Sequence, residues 1–205
     1  MLRRHIPEIV FFSGLWGLSE AFLGDLLYRN DVPFASVPLT VTGIAVLTAA
    51  GRYIPISGVC TVTACLAMLY KFFNEPFFAC HLLGIVLTGA CYDLVRAAAR
   101  PRSRAIKAAA AVYLSYAAFA LLITFVFRYD HWLRAPLAAI LRHVTLTGSF
   151  AAAGSALIVP CVDQLCGRLE AAFPEAGGHR LAGGIVSLTA AAMWAAVIAP
   201  LMLRT

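Results

Sequence analysis

The sequence predicts an all-α protein, a polytopic membrane bundle of six or seven transmembrane helices, and three observations carry that prediction. Seven strongly apolar stretches fill 205 residues, the longest being Val32–Gly51, Tyr53–Tyr70, Ala108–Phe127, Val144–Val162 and Leu181–Leu203. A hydrocarbon core about 30 Å thick takes roughly 20 apolar residues as helix, and these runs have that length. Hydrophobic residues make up 61% of the chain and charged residues only 13%, too few to cover the surface of a soluble domain this large. Almost nothing remains outside the runs, so residues 1–205 read as a single transmembrane helical domain with short loops.

Each element follows from its boundaries. Span one, about 7–28, opens on Pro7, which suits the first turn of a helix. The start, Met1 to His5 and then an apolar run, imitates a signal peptide. Glu20 and Asp25 interrupt the run and no small-x-small site follows, so an uncleaved span is expected. Span two, about 34–51, comes after a turn of Asn30, Asp31 and Pro33. Gly51-Arg-Tyr-Ile-Pro55 breaks the chain before span three, about 56–73, and Asn74-Glu75-Pro76 before span four, about 77–95. The most basic loop runs from Arg96 to Arg104, with Lys107 just beyond, and leads into span five, about 108–127. Over about 128–143, Trp132, Leu133, Leu137, Ile140 and Leu141 alternate with Arg128, Arg134 and Arg142. That pattern predicts an amphipathic segment lying in the membrane interface. Span six is about 144–165, Pro174 to Gly178 marks an exposed loop, and span seven is about 181–203.

The net charge of +6 comes mainly from arginines in loops. There is no run of five like charges and no basic stripe with interleaved aromatics, so nucleic acid is not an expected partner. With the N-terminus inside, the inner loops hold Arg3, Arg4, Arg52, Arg96, Arg100, Arg102, Arg104, Lys107, Arg168 and Arg180, ten cations. The outer side holds Arg29, Lys71, Arg128, Arg134, Arg142 and Arg204, six. Retention of cations on the cytoplasmic side then predicts a multi-pass protein of the cell inner membrane with a cytoplasmic N-terminus. The six cysteines lie almost entirely in predicted helices and form no C-x-x-C pair, so they read as small apolar fillers.

The most informative cluster is Ser13 to Asp25 in span one. Ser13, Gly17, Glu20 and Gly24 fall on one narrow stripe at helical spacing. Small residues let another helix approach closely, which marks Gly14, Gly17, Ala21 and Gly24 as packing or partner-contact positions. A carboxylate in that stripe is costly in lipid and should face protein, water or a ligand. Glu20 is therefore a candidate ligand, proton or partner-contact residue, or a group capped by hydroxyls or an arginine of a neighbouring helix. Glu20→Gln is expected to impair uptake or assembly and leave expression intact. His81 is the one histidine deep in a span, with Gly84, Thr88 and Cys91 or Tyr92 along its face. It reads as a packing residue or a substrate contact, since no H-x-x-H or H-E-x-x-H spacing supplies a second metal ligand. Lys71 and Glu75, four apart, read as an interfacial pair, and Asn74 with Glu75 as the mouth of a pocket. Trp16 would stack on a ring of the solute, so the candidate substrate contacts are Trp16, Glu20, Asn74, Glu75 and His81. Asp93 and Arg96 read as an interface ion pair, and Asp25 as a solvated interfacial group.

No Walker loop, G-x-S-x-G elbow or dinucleotide fingerprint occurs, so no catalytic role, resident metal or cofactor is expected. Movement of a solute uphill would draw on a gradient or on another subunit. The run Gly14-Leu-Trp-Gly-Leu-Ser-Glu-Ala21 with its small-residue face, in a chain of this architecture, resembles the first helix of the substrate-binding S components of energy-coupling factor vitamin transporters. That resemblance implies a first helix packed on a transmembrane coupling subunit, which assembles with two ATPases. Two departures stand: S components usually have six helices with both ends cytoplasmic, and no pattern here assigns riboflavin, thiamine, biotin or a metal ion. A seventh span is similar to cobalt and nickel transport relatives, whose N-terminal metal-binding histidine His5 does not match. The leading expectation is a transport subunit that binds a small solute, vitamin- or metal-type, between its helices, with membrane lipid around it. The alternatives are a membrane scaffold or assembly protein without a ligand, and an intramembrane enzyme.

Overall fold

The computed structural model describes residues 2–73, 79–98, 103–172 and 188–195. Helices are the regular elements of the described residues, which contain no strand. A 3-10 turn, Leu2–His5, leads into α1 (Ile6–Arg29), and α2 (Ser36–Tyr53) follows. Helix α3 (Val59–Ala67) tightens into a 3-10 turn over Met68–Phe73, and α4 is Ala79–Ala98. Helix α5 (Arg104–Leu121) widens into a π turn, Leu122–Val126. Two short helices, α6 (Asp130–Leu133) and α7 (Leu137–Arg142), precede a second π turn, His143–Thr147, and the long α8 (Gly148–Ala172). A last helical stretch covers 188–195.

Among the described residues, four helical segments are long and apolar enough to cross a membrane: Arg3–Arg29, Cys80–Ala98, Arg104–Val126 and Leu137–Ala172. Helix α2 carries Thr, Ser, Pro and Arg52 among its 18 residues, and the apolar helix Val59–Phe72 is shorter than a full crossing. Helix α5 begins four residues earlier than the apolar run, because Ser103 caps it by accepting a hydrogen bond from the Ile106 N–H at 3.3 Å. Helix α8 runs on past the expected 165 to Ala172, where Glu170 meets Arg52 of α2. The seventh expected span falls mostly outside the described residues, as do Asn74 and Glu75.

Neighbouring helices close a ring in the order α1, α3, α4, α5, α8, α2 and back to α1. Inside it Ile44, Leu47, Val59, Cys60, Ala64, Val112 and Ala151 are fully buried. Small residues set the spacing. A Cβ on Gly89 would lie 2.5 Å from that of Ala64, so α3 and α4 are drawn together at a position where only glycine fits. Outward, Phe22, Leu26, Phe125 and Leu157 are exposed, an apolar girdle suited to lipid. At one end of the ring ion pairs tie α2 and α5 to α8: Arg52 with Glu170 and Asp163, and Arg104 with Asp163. The other end is hollow.

A candidate solute-binding cavity

The hollow end holds a cavity of about 640 Å³. Helices α1, α2, α4 and α5 line it directly, and the turns after α3 and before α8 complete it. Trp16, Glu20 and Tyr28 come from α1, Thr40 from α2, Lys71 from the turn after α3 and His81 from α4; Tyr116 is on α5 and Thr147 leads into α8.

The floor is an ion pair withdrawn from solvent. Lys71 Nζ lies 3.0 Å from Glu20 Oε2, with the two side chains only 5% and 8% exposed. The same ammonium donates to the main-chain carbonyl of Glu20 at 2.7 Å. Gly24 makes the arrangement possible, because a Cβ there would come within 2.8 Å of Nζ. Two opposite charges in a poorly solvated site stabilise each other strongly, yet each loses hydration, so the pair holds only while both partners stay in place. Beside it Trp16 lays its indole over Gly43, where a Cβ would sit 2.7 Å from the ring. The indole N–H has no acceptor among the described residues.

The walls are aromatic. Tyr28 and His81 stack with centroids 4.9 Å apart and planes 20° apart, and Tyr116 and His143 stack at 5.0 Å. Trp132 of α6 meets His143 edge-on at 5.1 Å and Phe119 at 5.3 Å, which brings the α6–α7 segment over the opening. Hydroxyls punctuate this surface: Tyr116 Oη lies 3.2 Å from Thr40 Oγ1 and donates to Ser36 Oγ at 3.4 Å. At the rim Phe34 has φ +59°, a left-handed conformation costly for a bulky residue. Phe150 edge-on at 5.6 Å and the Arg142 guanidinium 5.8 Å from its centroid hold the ring there.

Of the sequence candidates, Trp16, Glu20 and His81 line this one cavity, with Gly84 and Thr88 on the same face of α4 as His81. Gly14 and Gly17 lie elsewhere on α1, against Tyr70, and Gly14 also against Met193; Ala21 is half-buried. The structure therefore fills the Gly14, Gly17 and Gly24 positions with this chain's own side chains. Lys71 changes its reading: its partner is Glu20, 51 residues earlier, whereas Glu75 lies outside the described residues. Asp93 differs too. It accepts from the Thr61 N–H and hydroxyl, both at 2.8 Å, while Arg96 stands 4.0 Å away. Asp25 pairs with Arg29 at 2.7 Å on the exposed side of α1. The 128–143 segment keeps exposed leucines at 133, 137 and 141, but turns Tyr129, His131 and Trp132 into the cavity.

Sequence reasoning missed Lys71, Tyr28, Tyr116, Trp132 and His143. A lone lysine within an apolar run was a legible signal for the first. Tyr28 and His143 sat at the ends of expected elements and Trp132 in the interfacial segment, where aromatic residues are common for interfacial reasons alone, and Tyr116 lay mid-span among apolar residues. Among the described residues no three His, Cys, Asp or Glu side chains converge as a metal site requires. Comparison of the chain with protein-family models, curated proteins and solved structures gave no match.

Proposed function

We propose that this chain is an integral membrane transport subunit that takes up a small organic solute in the cavity above Glu20 and Lys71, energised by partner subunits. The cavity with a buried ion pair at its floor carries this reading. Sites for small molecules are concave, mostly apolar, and commonly about 300–1,000 Å³, with a few placed polar groups that orient the ligand. Here stacked rings offer faces to a planar group, and the pair, His81 and the Tyr116 hydroxyl offer donors and acceptors to its edge. Six rods cross the membrane in this reading: α1, α4, α5 and α8 at full length, α2 and α3 as shorter members sheltered by them. The residues at 188–195 leave a seventh crossing open to test. The positive end then faces the cytoplasm and the cavity opens outward, as capture of an external solute needs. A scaffold reading gives the buried pair no task, and an enzyme reading needs a reacting partner for Glu20 or His81.

Gly84 supplies the test, because it lines the cavity and a Cβ on it meets no atom within 4 Å. The tagged protein, purified from its native membranes and then denatured, is expected to release a bound small molecule detectable by mass spectrometry. Gly84→Phe should fold with an unchanged melting temperature and release none. An empty wild-type chain, or equal release from both, would sink the solute reading. Purification in mild detergent is also expected to recover a membrane coupling subunit with an ATPase pair. Recovery of the chain alone points to a self-sufficient carrier, and of an unrelated membrane complex to the scaffold.

A further inference from the structure

At the other end of the ring, α2, α4 and α5 enclose a second cavity of about 130 Å³. Arg52, Arg96, Arg104 and Lys107 line it, with Thr48 and Tyr92 behind them. The carboxylates nearby are already engaged. Glu170 takes two hydrogen bonds from Arg52, at 2.7 and 2.6 Å, and Asp163 takes one from Arg104 at 2.6 Å. Asp93 is held by Thr61. Arg96 donates to two neutral acceptors, the Gly51 carbonyl and the Cys60 sulfur, each at 3.2 Å, and lies at the longer distance of 4.0 Å from Asp93 Oδ1. Four cations therefore face three carboxylates, and Lys107 is the one of the four without an ion pair among the described residues.

We infer that this cavity binds a phosphate group. Cations that face one small space repel unless an anion joins them, and a phosphate offers several acceptor oxygens for charge-assisted bonds from Arg96 and Lys107. The volume suffices for a phosphate with water beside it, since one water needs only roughly 10–15 Å³. The two helices also carry exposed apolar residues, Leu94 on α4 and Ile106 on α5, 58% and 56% exposed. A headgroup whose lipid chains lie along such helices is favoured over a phosphate-bearing soluble compound. Basic recesses between helices at a cytoplasmic face suit anionic lipids in the same way.

Native mass spectrometry of the full chain in detergent, titrated with phosphatidylglycerol, tests the site. The wild type is expected to retain the lipid and to ignore dioleoylglycerol, which has the same kind of chains without the phosphate. Lys107→Gln and Arg96→Gln should each weaken retention about five- to tenfold, the worth of one charge-assisted contact. Arg168→Gln removes an exposed cation from the same end of α8, outside the cavity, and should leave retention unchanged. Inorganic phosphate that raises the melting temperature of the wild type and not of Lys107→Gln, with no preference for the lipid, would keep the phosphate site and assign it to a soluble compound. Equal retention of dioleoylglycerol, or an equal loss in Arg168→Gln, would overturn it. Solute release by Lys107→Gln should match the wild type, so failure of this site and failure of the solute cavity are read separately.

Discussion

Glu20 and Lys71 place opposite demands on stability and on binding, and their contact tells the two apart. Because the ammonium is nearly shut away from solvent and bonded to both the carboxylate and the carbonyl of Glu20, either residue alone would be a buried charge without compensation. Removing one member of such a pair costs about 3–5 kcal/mol, whereas replacing both by uncharged groups of similar volume is close to neutral. Glu20→Gln is thus expected to lower the melting temperature, which revises the sequence-based expectation of normal expression. Lys71→Met should do the same. The double variant should recover most of the stability in a thermal melt and still fail to hold the solute. If the double variant melts as low as the sum of the singles, the pair is not a closed unit and a third group must share its charge. The pairing was out of reach of sequence reasoning, because Glu75 stood at helical spacing from Lys71 and Glu20 stood 51 positions away. Local spacing can suggest partners only within one helix.

At the scale of the helix, the small-residue face of α1 decides how closely the turn after α3 can approach. A Cβ on Gly17 would stand 2.2 Å from the Tyr70 ring, which is fully buried and has no room to retreat. Gly17→Ala is expected to cost about 1–3 kcal/mol as an overpacked contact. Gly84→Ala, into open space on α4, should instead stabilise by about 0.5–1 kcal/mol, because alanine loses less backbone freedom in a helix. Differential scanning of the two variants checks the contrast, and similar melting of both would mean that α1 and the Met68–Phe73 turn are not packed this tightly. The stripe itself was legible, since Ser13, Gly17, Glu20 and Gly24 recur at helical intervals; what it touches was not. The run lengths likewise placed α1 to α5, with their adjoining turns, to within about four residues of the structure, and fell seven short at the end of α8. They could not show that α3 stops at Ala67 and tightens, a change driven by seating Tyr70 and Lys71 against α1. Nor could alternation of leucine with arginine over 128–143 distinguish a segment resting on lipid from one that also lends Trp132 and His131 to a cavity.

For the molecule as a whole, the polarity of the ring follows from where its charges and its hollow lie. Arg52, Arg96, Arg104, Lys107 and the carboxylates that answer them share one end, and the aromatic cavity under α6 occupies the other. An end held by ion pairs between α2, α5 and α8 resists separation of those helices, while the open end depends on ring stacking that a ligand can replace. In the orientation proposed from cation retention on the cytoplasmic side, the paired end would lie inward and α6 outward. Single cysteines put this to the test in a background with the six native cysteines replaced. Arg134 on the α6–α7 turn and Ser103 at the start of α5 are both exposed, and neither lines a cavity. In intact spheroplasts a membrane-impermeant thiol reagent is expected to label Arg134→Cys and spare Ser103→Cys, and to label both once the membrane is opened. Solute added beforehand should slow the labelling of Arg134→Cys, because Trp132, two residues away, lines the cavity that the solute would fill. The reverse pattern of labelling would turn the molecule over and make the solute an export cargo or a cytoplasmic signal, with the ring itself unchanged.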